Sequence, residues 1–222
     1  MKMFATIHTL QSMNMIRSII IKTICFLFIS IHCSMLTFCA VHNIDSNKVL
    51  IVYLSRTNNT KTIAEMIQRN VGGKLVALEL QTPYPENYKA TVDQVVKENE
   101  TDFLPPLKTT IDSIEKYDVI FIGFPTWGMK MPPPMKSFLH QYNLKGKTII
   151  PFNTNAGYGV GSSFETVKEL CPQSNILEGF EMKAGAERDG QFLVIKDEKA
   201  NEAEKKIQDW LKKLNLLKKT TL

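Results

Sequence analysis

Beyond its first 40 residues this chain has a single cysteine. Cys25, Cys33 and Cys39 crowd near the N-terminus and Cys171 stands alone in the body. A lone thiol closes no intrachain disulfide, and no metal-ligand cluster surrounds it in the sequence. Followed by Pro172, it reads as a buried helix-end residue. A strong charge of either sign is also lacking. The 222 residues carry 27 Lys and Arg against 22 Asp and Glu. Residues 1–47 supply Lys2, Arg17, Lys22 and Asp45 to that balance, which leaves the remainder at a net +3. No basic stripe interleaved with aromatics appears, so nucleic acid is excluded as a partner. Lys205, Lys206, Lys212, Lys213, Lys218 and Lys219 read as the solvated face of a C-terminal helix. Repeats and low-complexity tracts are absent, as are the Gly-Lys-Ser/Thr of a P-loop and the paired glycines of a dinucleotide fingerprint. No acid–base pair or activated nucleophile stands out. What the chain does have is a 44% apolar content, enough for the core of one good-sized globular domain.

From Thr23 to Val41 there is no Asp, Glu, Lys or Arg, and Ile24, Phe26, Leu27, Phe28, Ile29 and Ile31 make the run strongly apolar. Arg17 and Lys22 precede it, the charge arrangement of a secretory signal. Thr37-Phe38-Cys39 is a poor match to a cleavage site, and no lipobox precedes a cysteine. The run is nearly long enough to stay in a membrane as an anchor. A start at Met13 or Met15 would instead leave a cytoplasmic protein. Residues 1–46 are expected to be a signal peptide or membrane-anchor segment, making the protein exported or membrane-anchored, and the fold is sought in residues 47–222.

There the sequence alternates strand and helix. Val49–Leu54 is an apolar strand, and residues 60–71 a helix with Ile63, Met66, Ile67 and Val71 on one face. A strand over 75–80 follows the Gly72-Gly73 stop, then a helix over 87–100. Asp118–Phe124 is an unbroken apolar run, as a strand buried on both faces requires. A helix beginning at Pro133 or Pro134 runs to Gln141, a strand spans 148–152, and a helix spans 162–170. A fifth strand lies within Ile176–Lys183, and a last helix over 198–216 buries Ala203, Ile207, Trp210, Leu211 and Leu214. The expected fold is a five-stranded parallel sheet of order 2-1-3-4-5 with helices on both faces. In that order three loops meet at the switch point, 55–60, 125–132 and 153–160.

These are the most unusual stretches of the chain. Ser55-Arg56-Thr57-Asn58-Asn59-Thr60 brings hydroxyls and backbone N–H groups to a helix N-terminus, a cradle for a phosphate held by neutral donors. Pro125-Thr126-Trp127-Gly128 sets an indole just past a buried strand, suited to stacking on a flat ring, with Gly128 free to approach it. Thr154-Asn155-Ala156-Gly157-Tyr158-Gly159 is glycine-rich enough to lie flat along a ligand, and Tyr158 either covers the ring's other face or sits at the surface. Together the three walls describe a phosphate tied to a planar heterocycle. No acid is placed for a ribose hydroxyl, which argues against NAD. Gly185-Ala186-Glu187-Arg188-Asp189-Gly190 reads as a charged surface turn.

On these three loops and the strand spacing, residues 48–216 resemble the flavodoxins, especially the bacterial flavodoxin-like proteins with Ser-x-Thr-Gly-x-Thr in the first loop. The most specific parts are Phe124–Gly128 and Asn155–Ser163. The resemblance implies non-covalently bound FMN, with Ser55, Thr57, Asn59 and Thr60 around its phosphate. It also implies Trp127 against the isoalloxazine and loop 153–159 along the pyrimidine edge. Two departures stand out. Asn58 replaces the usual Gly; asparagine tolerates a left-handed backbone, so binding is expected to survive with some loss of affinity. The body is mildly basic where electron-carrying flavodoxins are acidic, which puts their usual docking surface in doubt. The expected function is electron shuttling through FMN between redox partner proteins. Alternatives are an FMN-dependent reductase of quinones or nitro compounds, and a noncatalytic module without flavin.

Overall fold

The computed structural model describes residues 44–217. The expected signal or anchor segment lies outside them except for its last residues, 44–46. No helix among the described residues is long and apolar enough to cross a membrane.

The sheet is built on β1 (Val49–Tyr53), whose five side chains are all buried. Because successive side chains point to opposite faces, Val49, Ile51 and Tyr53 join one core while Leu50 and Val52 join the other. Both faces are covered, so no polar residue is tolerated. β1 pairs in parallel with β2 (Lys74–Ala77) on one side and β3 (Val119–Pro125) on the other. β3 pairs in turn with β4 (Thr148–Asn155), setting Phe121 opposite Ile51 and Ile150. One face is closed by α1 (Asn59–Val71) and α5 (Asp197–Lys213), which contribute Ile63, Ile67, Ile207 and Trp210 to the core. The other is closed by α3 (Pro133–Gln141) and α4 (Ser163–Leu170), through Met135, Phe138 and Val167. α2 (Tyr88–Glu100) lies beside α3, tied by Lys136 Nζ donating to Asn99 Oδ1 at 3.0 Å. The parallel order 2-1-3-4-5 is the one expected.

The last helix ends at Lys213 rather than 216, with Leu214 as its cap, and three further stretches differ from the expectation, each for a local reason. β2 ends at Ala77 rather than residue 80 because β1 itself ends at Tyr53. Glu79 then donates its N–H to Thr109 Oγ1, and Leu80 bridges to Leu107. β4 continues three residues past Phe152, so Asn153, Thr154 and Asn155 are strand rather than loop. They are polar yet buried, and they are hydrogen-bonded: Asn153 Nδ2, for example, donates to Phe124 O at 2.9 Å.

The fifth strand is split into β5 (Asn175–Ile176) and β6 (Phe180–Lys183), both paired with β4. Ile149 lies opposite Ile176 but Phe152 lies opposite Phe180, so the fifth strand carries one extra residue, a bulge. Pro151 is its cause. Leu177 N donates to Ile149 O and Ala184 N to Asn155 O, so the odd-numbered residues of β4 face this strand. Pro151 faces it without an N–H to give.

At the centre of the sheet Gly123 lies opposite both Tyr53 and Phe152. A Cβ there would overlap the Phe152 ring at Cζ and Cε2. Gly123→Ala is expected to cost about 3 kcal/mol, read as a fall in the urea midpoint at unchanged slope.

Cys171 caps α4 and is 4% exposed. Burial pushes its thiol up to about 11 from 9.0. The fold holds the neutral thiol, so the stabilisation is complete below the ordinary thiol range and is lost as pH rises through about 11. Alkylation by iodoacetamide near neutral pH is expected to be roughly 100-fold slower in the native protein than in urea.

Candidate functional site

Four chain segments converge beyond the C-terminal ends of β1, β3, β4 and β6. They enclose a cleft of about 210 Å³ lined by Arg56, Thr57, Asn59 and Thr60, by Pro125, Thr126 and Trp127, by Thr154, Asn155, Ala156 and Tyr158, and by Ala184–Arg188. Tyr88 closes one end.

The β1–α1 turn is set by Asn58 at φ +63°, the left-handed conformation that asparagine accepts more readily than other side chains. Among the described residues the N–H groups of Ser55, Arg56, Thr57 and Asn58 donate to no backbone acceptor, and α1 adds the free N–H groups of its first turn. Ser55 Oγ is buried and has no partner among the described residues. Thr60 Oγ1 and Thr154 Oγ1 share a buried hydrogen bond at 2.8 Å, which joins the start of α1 to the end of β4.

Asn59 does something the sequence did not suggest. It is 1% exposed, and its Nδ2 donates to Thr57 Oγ1 and Phe192 O at 2.9 and 2.6 Å. Its Oδ1 accepts from Val194 N and Ile195 N. The side chain is thus a clamp between the cradle and residues 192–195, and only its backbone N–H remains for a ligand.

Arg56 is committed as well. Its Nε donates to both carboxylate oxygens of Glu187 at 2.7 and 2.8 Å, and its remaining nitrogens reach Pro85 O and Glu86 O. This end of the cleft is therefore left to neutral donors. Glu187 adds to the reading of residues 185–190 as a charged surface turn: Arg188, Asp189 and Gly190 are exposed, but the segment also lines the cleft. That segment is the fourth wall, with Glu187 held under the Arg56 guanidinium. Its position just past a strand's C-terminal end was the available signal, since the other three walls occupy equivalent positions.

Trp127 opens a two-residue turn in which Trp127 and Lys130 exchange both backbone hydrogen bonds, with Gly128 at φ +56° and Met129 at φ +61°. Tyr84 packs edge-on against the indole, ring centres 5.4 Å apart, and its hydroxyl donates a hydrogen bond to Glu98 Oε2. Burial and that carboxylate hold the phenol far above its ordinary range, so it stays a donor at any physiological pH. Thr126 Oγ1 lies within hydrogen-bonding distance of Asn153 Oδ1 and Gly159 O, coupling the second wall to the third. In the third wall Asn155 Oδ1 accepts from Gly157 N and Gly159 N, folding the loop back on itself. Tyr158 is 70% exposed at the rim. Ser55, Asn58, Gly128, Gly157 and Gly159 shape the walls without lining the cleft.

A family model described as flavodoxin matches residues 48–193. The chain belongs to the flavodoxin family. A flavodoxin of Synechocystis sp. is 25% identical over 122 residues, covering 53% of this chain and 58% of that protein. The chain thus spans less than two thirds of that flavodoxin's length. Among solved structures, a Bacteroides eggerthii protein assigned as a flavoprotein is 30% identical, with a TM-score of 0.60 over 74% of this chain and 96% of its own. A Lactobacillus acidophilus flavoprotein, solved in complex with FMN, shares the fold at 24% identity and a TM-score of 0.54, over 65% of this chain and 98% of its own.

Proposed function

We propose that the chain holds FMN without a covalent bond and passes electrons through it between redox partner proteins. One observation carries the reading: a cleft whose one end is framed by a turn of unpaired peptide N–H groups, with the orphaned Ser55 Oγ in the turn behind it, and whose other end is walled by indole. The donor set fits a phosphate ester. Free N–H groups at a helix start favour an anion, and Ser55 Oγ in the same turn has no partner among the described residues. Thr57, with Oγ1 fixed by Asn59, lines the same end. Trp127 offers an apolar plane held rigid by Tyr84, and the Asn155-bound loop keeps its peptides flat beside the cleft. Bound FMN would supply the electron chemistry; the chain's part is to bind it, orient it and exclude water from one face.

The test is the protein itself. Purified from cells it should be yellow and should release FMN, identified by mass, on acid denaturation. Dithionite under anaerobic conditions should bleach the colour, and air restore it. A colourless preparation that takes up no FMN would overturn the reading.

A further inference from the structure

A second cleft of about 330 Å³ opens off the first, and Arg56, Tyr88, Thr126, Trp127 and Glu187 line both. Its far wall is one stripe of α2, where Tyr88, Val92, Val95, Val96 and Asn99 follow helical spacing. Val92 and Val96 are 38% and 50% exposed. β-Branched residues are middling helix formers, so exposed valines here do nothing for α2 itself. The near wall is the indole of Trp127, packed edge-on by Tyr84, whose hydroxyl is in turn tied to Glu98 of α2, so the cleft stands ready-made.

The polar groups along it are mostly spoken for. Thr91 Oγ1 donates to Pro85 O, Asn99 bonds Val95 O and Lys136, and Arg56 pairs with Glu187. The Tyr88 hydroxyl, Lys130 and Glu100 remain, the last two of opposite charge and neither ion-paired among the described residues. The ionic groups therefore balance, and the occupant that fits is uncharged. Valine methyls facing indole call for a flat apolar ring, and the Lys130 ammonium calls for an acceptor oxygen. The volume is at the small end of ligand sites, which run from roughly 300 to 1,000 Å³. It holds a fused ring pair and not a peptide.

We infer that this cleft binds a neutral bicyclic aromatic carbonyl compound, a quinone of naphthoquinone size, beside the indole that the two clefts share. The inference deepens the FMN reading and rests on it for its purpose, though the binding itself is measured independently.

The probe is menadione, titrated into the protein with and without FMN, read by calorimetry and by the valine-methyl signals in carbon–proton NMR. Saturable binding that moves the Val92 and Val96 methyls is expected in both states. Val96→Asp puts a charge on a half-exposed helix position; it is expected to weaken menadione by at least about tenfold while FMN affinity is unchanged. Val92→Ala, which leaves α2 intact, is expected to weaken it by about threefold. Methyls that stay still under menadione, or Val96→Asp and Val92→Ala proteins that bind like the parent, would overturn the inference. So would FMN alone moving both valines, because the cleft would then belong to the cofactor. Failure of the FMN reading shows separately, as FMN that does not bind when no menadione is present.

Discussion

Asn59→Ala is expected to destabilise the protein by about 3 kcal/mol. Four hydrogen bonds end on this side chain, and its loss strands the N–H groups of Val194 and Ile195, the second of them fully buried. A buried donor left without an acceptor costs about 1–3 kcal/mol. Urea unfolding followed by far-UV dichroism measures the loss. Asn59→Asp separates the clamp from the cradle. A carboxylate still accepts from Val194 and Ile195, so about half the lost stability should return. It also sets a negative charge at the end of the cleft proposed for the phosphate, and FMN should bind on the order of 100-fold more weakly. An alanine variant as stable as the parent would show that residues 192–195 are held by something else.

Trp127→Ala should act on the ligand and spare the fold. Stacking on an aromatic face is worth about 1–3 kcal/mol per ring, so FMN affinity should fall roughly 10- to 100-fold. The fluorescence of bound flavin should rise as its quencher is removed. Trp210 gives an internal reference, since it lies in the core with its indole N–H on Glu178 O at 3.0 Å. Stability should fall by no more than about 1 kcal/mol, the edge contact with Tyr84 being lost. Trp127→Phe should recover most of the affinity. An alanine variant that binds FMN as tightly as the parent would remove the indole from the site.

What could be read in advance follows from how local each signal is. Val49–Tyr53 and Val119–Phe124 are legible because burial on both faces leaves an unbroken apolar run. α3 is legible because proline at its first turn announces the start. Asn153–Asn155 looked like loop because their polarity is local, while the bonds that let them be buried come from distant residues such as Phe124. Pro151 gave no warning that the fifth strand would bulge, since that depends on which neighbour its missing N–H faces.

The site divides in the same way. The convergence of three loops followed from strand order. The roles of Arg56 and Asn59 did not, because the partners that tie them to residues 187–195, Glu187 for Arg56 and Phe192, Val194 and Ile195 for Asn59, lie more than 130 positions along the chain. A hydroxyl- and amide-rich turn looks the same in sequence whether its side chains face a ligand or another part of the fold.

Parallel titrations of the flavin-free protein with FMN and with riboflavin, followed by flavin fluorescence, bear most directly on the whole picture. The two ligands share the ring and differ in the phosphate. Quenching by both is expected, with FMN tighter by at least about 100-fold because riboflavin leaves Ser55 Oγ and the N–H groups of residues 55–58 unanswered. Equal affinities, or no quenching by either, would contradict it.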